Sequence, residues 1–250
     1  MQGDALMKTL QILMPMGGLG QRFRDAGYDT PKPLIEVDGV AMFQKALAAY
    51  DDYPGEKRHL FVIRKDTDDE YGLADKIRTL LPDAEINILD HNTEGAVETC
   101  LIAENLIDPE LPLVIMDCDI TFNAPNYFDM MRDAVETDRY DGLLLSFDSS
   151  DPRYSFAETD SQGMVMRTAE KVAISSNALM GAYFFTKAGT FLDAAHELME
   201  RQLGDTMKEY YVSLIYNILI DSKKRIGLAK GNFTSFGTPE ELNRYLNRNE

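Results

Sequence analysis

The stretch MPMGGLGQRF, Met14–Phe23, carries Gly17, Gly18 and Gly20 just ahead of Arg22. Glycines leave backbone N–H groups uncovered, so such a loop can surround an anion. The guanidinium offers a planar fork that matches phosphate oxygens. A plain turn has the same composition, and glycine alone does not separate the two. The loop ends in Gln-Arg-Phe, so it is not a P-loop, which ends in Gly-Lys-Ser/Thr. A dinucleotide fingerprint would set a third glycine where Phe23 stands. Asp38 lies at the distance at which that fingerprint carries an acid, but VDGV, Val37–Val40, reads as a turn. Further on, TPKPLIEV holds Lys32 between Pro31 and Pro33, on a stretch too stiff to be helical. A rigidly placed cation beside a glycine loop suits phosphate chemistry; taken alone, Lys32 reads as a surface lysine in a proline-rich turn.

Other chemistries lack their residues. His59, His91 and His196 are scattered with no helical pairing for zinc, and no Gly-x-Ser-x-Gly elbow exists for a hydrolase. Cys100 and Cys118 offer neither zinc spacing nor a disulfide framework, and read as reduced, buried thiols of a cytoplasmic protein. The 250 residues carry a net charge of −17, which argues against a nucleic-acid binder. A few local cations can still shape a pocket for a small anion. No signal peptide and no membrane-spanning run is visible, and the residues before Met7 read as a mobile end.

The positioning elements follow from the apolar pattern. LQILM, HLFVI, AEINIL and LPLVIM read as buried strands, and AMFQKALAAY, DDEYGLADKIRTLL and GAVETCLIAENLI as helices between them. Strand–helix alternation implies a parallel sheet covered on both faces. The second half changes character. GLLLSF, RYSFAET, MVMRTAE and LMGAYFF are strand-like, with DSQG as a hairpin turn. Two helices, GTFLDAAHELMERQL and EYYVSLIYNILIDS, precede a last strand pair, Ile226–Ala229 and Asn232–Phe236. Thr238 is the expected N-cap of the closing helix, with Pro239 at its first position. One α/β domain over residues 7–250, with a mixed sheet, is the expected organisation.

Together, GGLGQRF and PKPLIEV resemble the N-terminal signature of the sugar-1-phosphate nucleotidylyltransferases. EGAVETCLIAENLI looks like the helix after that family's base-binding turn, here Gly95 and Ala96. LVIMDCDI resembles its metal-bearing strand end, and RYSFAETDSQGMVMRTAEK its hairpin ending in Glu-Lys, here Glu170 and Lys171. SSNALMGAYFF is similar to its Asn-x-x-x-Gly-x-Tyr-x-Phe strand, and FGTPEEL to its closing helix start. The matches run in family order over nearly the whole chain.

The resemblance implies a Rossmann-like, glycosyltransferase-A-type α/β fold, a three-layer sandwich with a mixed central sheet. It implies a Mg²⁺-dependent, cytoplasmic nucleotidylyltransferase joining a nucleoside triphosphate to a sugar 1-phosphate or related phosphorylated metabolite, with release of pyrophosphate. Such a product would serve surface polysaccharide synthesis. By register, Met16, Gly17, Gly18, Leu19, Gly20 and Gln21 cradle the nucleotide, and Arg22 binds the leaving pyrophosphate. Lys32 neutralises the reacting phosphates. Glu94, Gly95 and Ala96 border the base, with Gly95 where only bare backbone fits. Asp117 and Asp119 are the metal candidates, Asp119 the better one; two apart in an extended run, they point the same way, and carboxylates suit Mg²⁺. Glu170 accepts sugar hydroxyls, Lys171 meets the sugar phosphate, and Asn177, Gly181 and Tyr183 shape the acceptor pocket. For Glu170 and Lys171 the competing reading is an exposed charge couple, and for Tyr183 a core aromatic.

Ser235 departs from the pattern: the family often carries a second metal-ligating Asp there. The region between Asp119 and Asp141 and the EYYVSLIYN helix also differ from glucose-type members. The acceptor therefore stays open, with a cytidylyltransferase acting on a phosphocholine-like or phosphoamide acceptor as one alternative. A glycosyltransferase consuming a nucleotide sugar is the rival enzyme class, and a non-catalytic nucleotide-binding regulator is a third reading. Neither the base nor homo-oligomerisation is decided by these motifs.

Overall fold

The computed structural model describes residues 7–202 and 209–249. The expected mobile end before Met7, Leu203 of the expected helix GTFLDAAHELMERQL, and Glu250 lie outside the described residues. β1 (Leu10–Met16), β4 (Lys57–Arg64), β5 (Glu85–Leu89) and β6 (Leu113–Met116) are the four apolar runs of the first half. They pair in parallel in the order β6-β1-β4-β5. Along β1, Leu13 faces one core, while Leu10, Ile12, Met14 and Met16 face the other. This two-residue alternation buries both faces, which is why the strands read as continuous apolar runs.

The second half makes the sheet mixed. β8 (Gly142–Asp148), β9 (Ser155–Thr159), β10 (Val165–Glu170), β11 (Asn177–Phe185) and β12 (Ile226–Lys230) complete nine strands. β11 runs antiparallel to β6 through Ala182–Phe185, and touches β9 at Ala178. The hand-over falls at Gly181, whose φ of 81° marks an irregularity in the pairing of β11 with β8. The expected last strand pair does not form. β12 joins β8 in parallel, while β13 (Asn232–Ser235) pairs with β7 (Ile120–Asn123). β12 gains a longer, buried apolar partner in β8, and β13 pairs along its whole length with β7.

Helices cover both faces. α5 (Ala96–Leu101), α7 (Ala188–Glu200) and α8 (Val212–Asp221) pack on one side. On the other side lie α2 (Met42–Leu47), α4 (Leu73–Leu80) and α6 (Tyr127–Thr137). The helix expected over DDEYGLADKIRTLL is two: α3 (Lys65–Tyr71) and α4, broken at Gly72 in the left-handed conformation. Glycine alone takes that geometry without strain, so it ends one helix and starts the next.

A third, small core joins the chain's two ends. Phe23 of α1 (Gln21–Asp25) packs with Ile35, Val37, Met42, Phe236 and Leu242, the last from α9 (Pro239–Leu246). Thr238 caps α9 as expected, its Oγ1 accepting the Glu241 N–H at 3.2 Å. VDGV is the expected turn: Asp38 and Gly39, both at positive φ, link the short strands β2 (Glu36–Val37) and β3 (Val40–Ala41). Asp38 does more than turn the chain. Its carboxylate accepts Tyr245 Oη at 2.6 Å, Lys45 Nζ at 3.0 Å and Arg248 Nη2 at 3.0 Å. The bonds from Tyr245 and Arg248 pin the C-terminal end of the chain to this turn, while Lys45 ties the turn to α2.

Among the described residues no helix is long and apolar enough to cross a membrane.

Candidate active site

Beyond the carboxyl ends of β1, β5 and β6 lies a cleft of about 660 Å³. Loops after parallel strands converge at that edge of an α/β sheet, which is where ligands bind in such folds. The glycine loop, the turn before α5, Lys32 and the Asp117–Asp119 turn all line it.

Each glycine of the loop has a different reason to be there. A Cβ on Gly17 would come within 2.9 Å of Leu89 and of Thr99. Gly20 has φ 63°, and a Cβ there would stand 3.2 Å from the Cβ of Lys32. Gly18 faces open space, so packing does not demand a glycine. Met16, Leu19 and Gln21 line the same wall. Arg22 does not: it is exposed on α1, near Glu240, whose carboxyl is held below its usual range by a backbone hydrogen bond, then by Thr238, with the Arg22 charge the smallest contributor. The cation that touches the loop is Arg64, whose Nη1 donates to the Gly17 carbonyl at 3.3 Å and to Asn92 Oδ1 at 3.0 Å.

Lys32 Nζ sits 2.6 Å from Asp119 Oδ2, both side chains largely buried. Burial is the largest single influence and would lower the lysine's pKa; Asp119, with Cys118 and Asp117 behind it, together outweigh it, so the ammonium is held charged. The expected stiffness of PKP takes a specific form, one 3₁₀ turn over Lys32–Leu34. That corrects the non-helical reading: Pro33 at the second position needs no N–H there.

Asp117 and Asp119 both line the cleft, though not by strand alternation. β6 stops at Met116 and the two acids ride the turn into β7. Backbone bonds shape that turn: Asp117 N–H donates to Gly181 O at 3.0 Å, and Phe236 N–H to Asp119 O at 2.7 Å. Asp117 is open to solvent on its cleft side, yet protein crowds its carboxyl on the others; that crowding, and then Asp119, pushes its pKa up. Gly181 makes room for it, since a Cβ there would overlap the Asp117 carboxylate. Between the acids, burial pushes the Cys118 thiol up to about 12, so it stays protonated.

The turn before α5 also lines the cleft through Thr93, Gly95 and Ala96. Bare backbone at Gly95 is required, but by a protein neighbour: a Cβ would come 2.5 Å from the Tyr210 nitrogen. Tyr210 N–H donates to Glu94 O at 2.9 Å, and Val97 N–H to Tyr210 O at 3.0 Å. The Glu94 side chain is not part of the cleft wall; its backbone serves this ladder.

Glu170, Lys171, Asn177, Gly181 and Tyr183 do not line this cleft; Glu170 accepts Ser213 Oγ at 2.9 Å and also Ser155 Oγ. Lys171 Nζ donates to Tyr211 Oη at 2.6 Å, and Tyr211 lines the cleft. Asn177 lies away from the acids, its amide donating to Ala157 O at 3.2 Å. Tyr183 is buried against Tyr216, ring centroids 6.1 Å apart. Ser235 Oγ donates to Glu241 Oε2 at 2.8 Å and accepts the Gly237 N–H at 3.1 Å, while Glu241 pairs with Arg153 at 3.0 Å.

The sequence profile of the nucleotidyl transferase family matches residues 11–217. The chain belongs to the nucleotidyl transferase family. It is 26% identical over 244 residues to a UTP–glucose-1-phosphate uridylyltransferase of Haloferax volcanii, with 93% of each chain covered. A solved nucleoside-diphosphate-sugar pyrophosphorylase from Vibrio cholerae superposes with a TM-score of 0.81 at 26% identity, covering 94% of this chain and 99% of that one. A UDP-glucose pyrophosphorylase solved with UDP-glucose superposes at 0.73 and 17% identity, over 97% and 98% of the two chains. This nucleotidyl transferase thus has the expected Rossmann-like, glycosyltransferase-A-type fold, and it is an enzyme whose relatives include sugar-phosphate nucleotidyltransferases.

Among its described residues no group of three or more His, Cys, Asp or Glu side chains surrounds a metal position. Asp117 and Asp119 offer two neighbouring carboxylates in the cleft, which suits a hard cation that keeps waters and takes phosphate oxygens as its other ligands. Gly237 leaves the necessary room: a Cβ there would stand 2.7 Å from Asp119 Oδ2. Sequence reasoning missed Thr99, Glu209 and Tyr211 of the cleft wall and Arg64, which bonds the glycine loop. None carries a motif of its own; the signal available for Thr99 was a polar residue on the apolar face of α5.

Proposed function

We propose that this chain is a Mg²⁺-dependent nucleotidylyltransferase that joins a nucleoside triphosphate to a sugar 1-phosphate and releases pyrophosphate. The observation that carries this is the Lys32–Asp119 ion pair facing the glycine loop across one cleft. A phosphate oxygen of the acceptor attacks the α-phosphorus, the bond to the β-phosphate breaks, and pyrophosphate leaves with the electron pair. No covalent protein intermediate is needed, so positioning and charge neutralisation supply the acceleration.

Residues 7–250 act as one catalytic unit. The amides around Gly17, Gly18 and Gly20, flanked by Met16, Leu19 and Gln21, cradle the triphosphate. Lys32 moves from Asp119 onto the reacting phosphates, and Arg22 turns inward from α1 onto the departing pyrophosphate. Asp117 and Asp119 would hold Mg²⁺, which would offset the charge gathering on the α-phosphate. Without such a cation the cleft, with Asp117, Asp119 and Glu209 in its wall, would repel a polyanion. Gly95 and Ala96, braced by Tyr210 and the Glu94 carbonyl, border the base. Glu170 accepts acceptor hydroxyls and Lys171 meets the acceptor phosphate. Gly181 shapes the pocket by admitting Asp117; Asn177 and Tyr183 act by holding β11 and its core in place. The product, a nucleotide-activated sugar, suits polysaccharide synthesis.

The test is a panel of the four common triphosphates against hexose 1-phosphates and phosphocholine, reading pyrophosphate. Release with one triphosphate and a sugar 1-phosphate supports the reading. Release only with phosphocholine moves the acceptor to the alternative class, and no release with any pair refutes the proposal.

A further inference from the structure

We infer that Tyr211 is a positioning residue: it holds Lys171 toward the acceptor phosphate and, through the adjoining backbone of Tyr210, ties that lysine to the base turn at Gly95. The inference rests on the acceptor role proposed for Lys171 above.

Two interactions with one ring fix the lysine. Its Nζ donates to Tyr211 Oη at 2.6 Å and lies 4.6 Å from the ring centroid, where the π-face attracts a cation. The main chain of Lys171 is also constrained. It has φ 56°, uncommon for a residue with a Cβ, and its N–H donates to Tyr154 O at 3.1 Å. Such a conformation persists only where surroundings impose it. Lys171 is therefore held at both ends, and Tyr211 is the holder that faces the cleft.

The same short segment grips the other half of the site. Tyr210 exchanges backbone hydrogen bonds with Glu94 and Val97, on either side of Gly95. The contact leaves no room for even a methyl group at Gly95. Two residues further, Ser213 Oγ donates to Glu170. One stretch entering α8 thus contacts the base turn, the acceptor lysine and its neighbouring glutamate. A nucleotide that settles the turn also settles Tyr211, so triphosphate binding should tighten acceptor binding by the reciprocity of linked sites.

The experiment uses the full chain and the triphosphate–acceptor pair found by the panel. Tyr211→Phe keeps the ring and removes the hydroxyl; it should raise the acceptor KM roughly tenfold while triphosphate KM stays within about twofold. Lys171→Ala combined with Tyr211→Phe should be no worse than Lys171→Ala alone, because both act through one contact. Calorimetry supplies a readout without turnover. Titrated with acceptor, the wild type saturated with an α,β-methylene triphosphate should bind roughly fivefold or more tighter than the free protein, and Tyr211→Phe should lose that gain. An unchanged acceptor KM in Tyr211→Phe, or effects that multiply with Lys171→Ala, overturns the positioning role. Equal acceptor affinity with and without the analogue overturns the tie to Gly95. No turnover by the wild type with any pair refutes the function reading and this inference with it; turnover with an unaffected Tyr211→Phe refutes only the inference.

Discussion

Lys32 Nζ and Asp119 Oδ2 meet at 2.6 Å in the wall of the cleft, each the other's counter-charge. Removing one partner strands the other in a partly buried place. Lys32→Ala and Asp119→Asn should each lower kcat by about 10²–10³, the scale of a lost charge-stabilising contact at a reacting centre. Circular dichroism should show the fold intact. Full activity in both variants would refute the assignment of this site.

Chelation of divalent ions should abolish pyrophosphate release, and added Mg²⁺ should restore it. Asp119→Asn should need roughly tenfold or more Mg²⁺ for half-maximal activity, since even partners outside the direct ligands cost that much. A Mg²⁺ titration of both proteins decides; an unshifted midpoint would place the ion elsewhere.

Gly181 and Gly18 make a contrasting pair. Alanine at Gly181 meets both a left-handed φ of 81° and the Asp117 carboxylate. Gly181→Ala should cost about 1–3 kcal/mol in strain and cut turnover by displacing Asp117. Gly18→Ala has open space, so its stability should stay within about 0.5 kcal/mol of wild type. Its triphosphate KM should nevertheless rise, because the methyl would stand in the proposed phosphate cradle. Urea denaturation and steady-state kinetics separate the two effects.

Asp38 sets a pH dependence. Hydrogen bonds from Tyr245, then Lys45 and Arg248, hold its carboxyl below the usual range. A carboxyl with a depressed folded-state pKa stabilises above its unfolded value, about 4, and the contribution is lost as pH falls through the folded value. Asp38→Asn should therefore be less stable than wild type at pH 7, and the gap should shrink below about pH 4. Denaturant melts across that window measure it; a gap independent of pH would discount the charge.

Phe23 is 1% exposed in the small core that joins α1 to α9. Phe23→Ala should cost roughly 3–5 kcal/mol, the usual range for truncating a buried aromatic. The glycine loop leads directly into α1, so triphosphate KM should rise even where the variant stays folded. Equilibrium unfolding and kinetics at low temperature test both parts.

Much of the fold was readable because its signals are short-range. Continuous apolar runs in β1, β4 and β6 announced buried strands, and Thr238-Pro239 announced the start of α9. The errors came where context overrode local pattern. Gly72 split a helix whose apolar spacing looked continuous. Ile226–Lys230 and Asn232–Ser235 look like a hairpin, yet each pairs with a distant strand. In the site, motif register brought together the glycine loop, Lys32, Gly95, Asp117 and Asp119 in one cleft. It did not foresee that Arg22 faces outward from that wall, or that Arg64 braces the loop.

Residue types and their neighbours alone settled that this chain alternates strands and helices, that its first loop can meet an anion, and that two carboxylates follow an apolar strand. Those are properties of a few consecutive residues, set by backbone sterics and apolar periodicity. Which lysine meets which aspartate, what crowds Gly95, and whose ring supports Lys171 were decided only when strands far apart in the chain came into register. Contacts of that kind depend on sheet order and on which surfaces become buried together, and no local pattern encodes either.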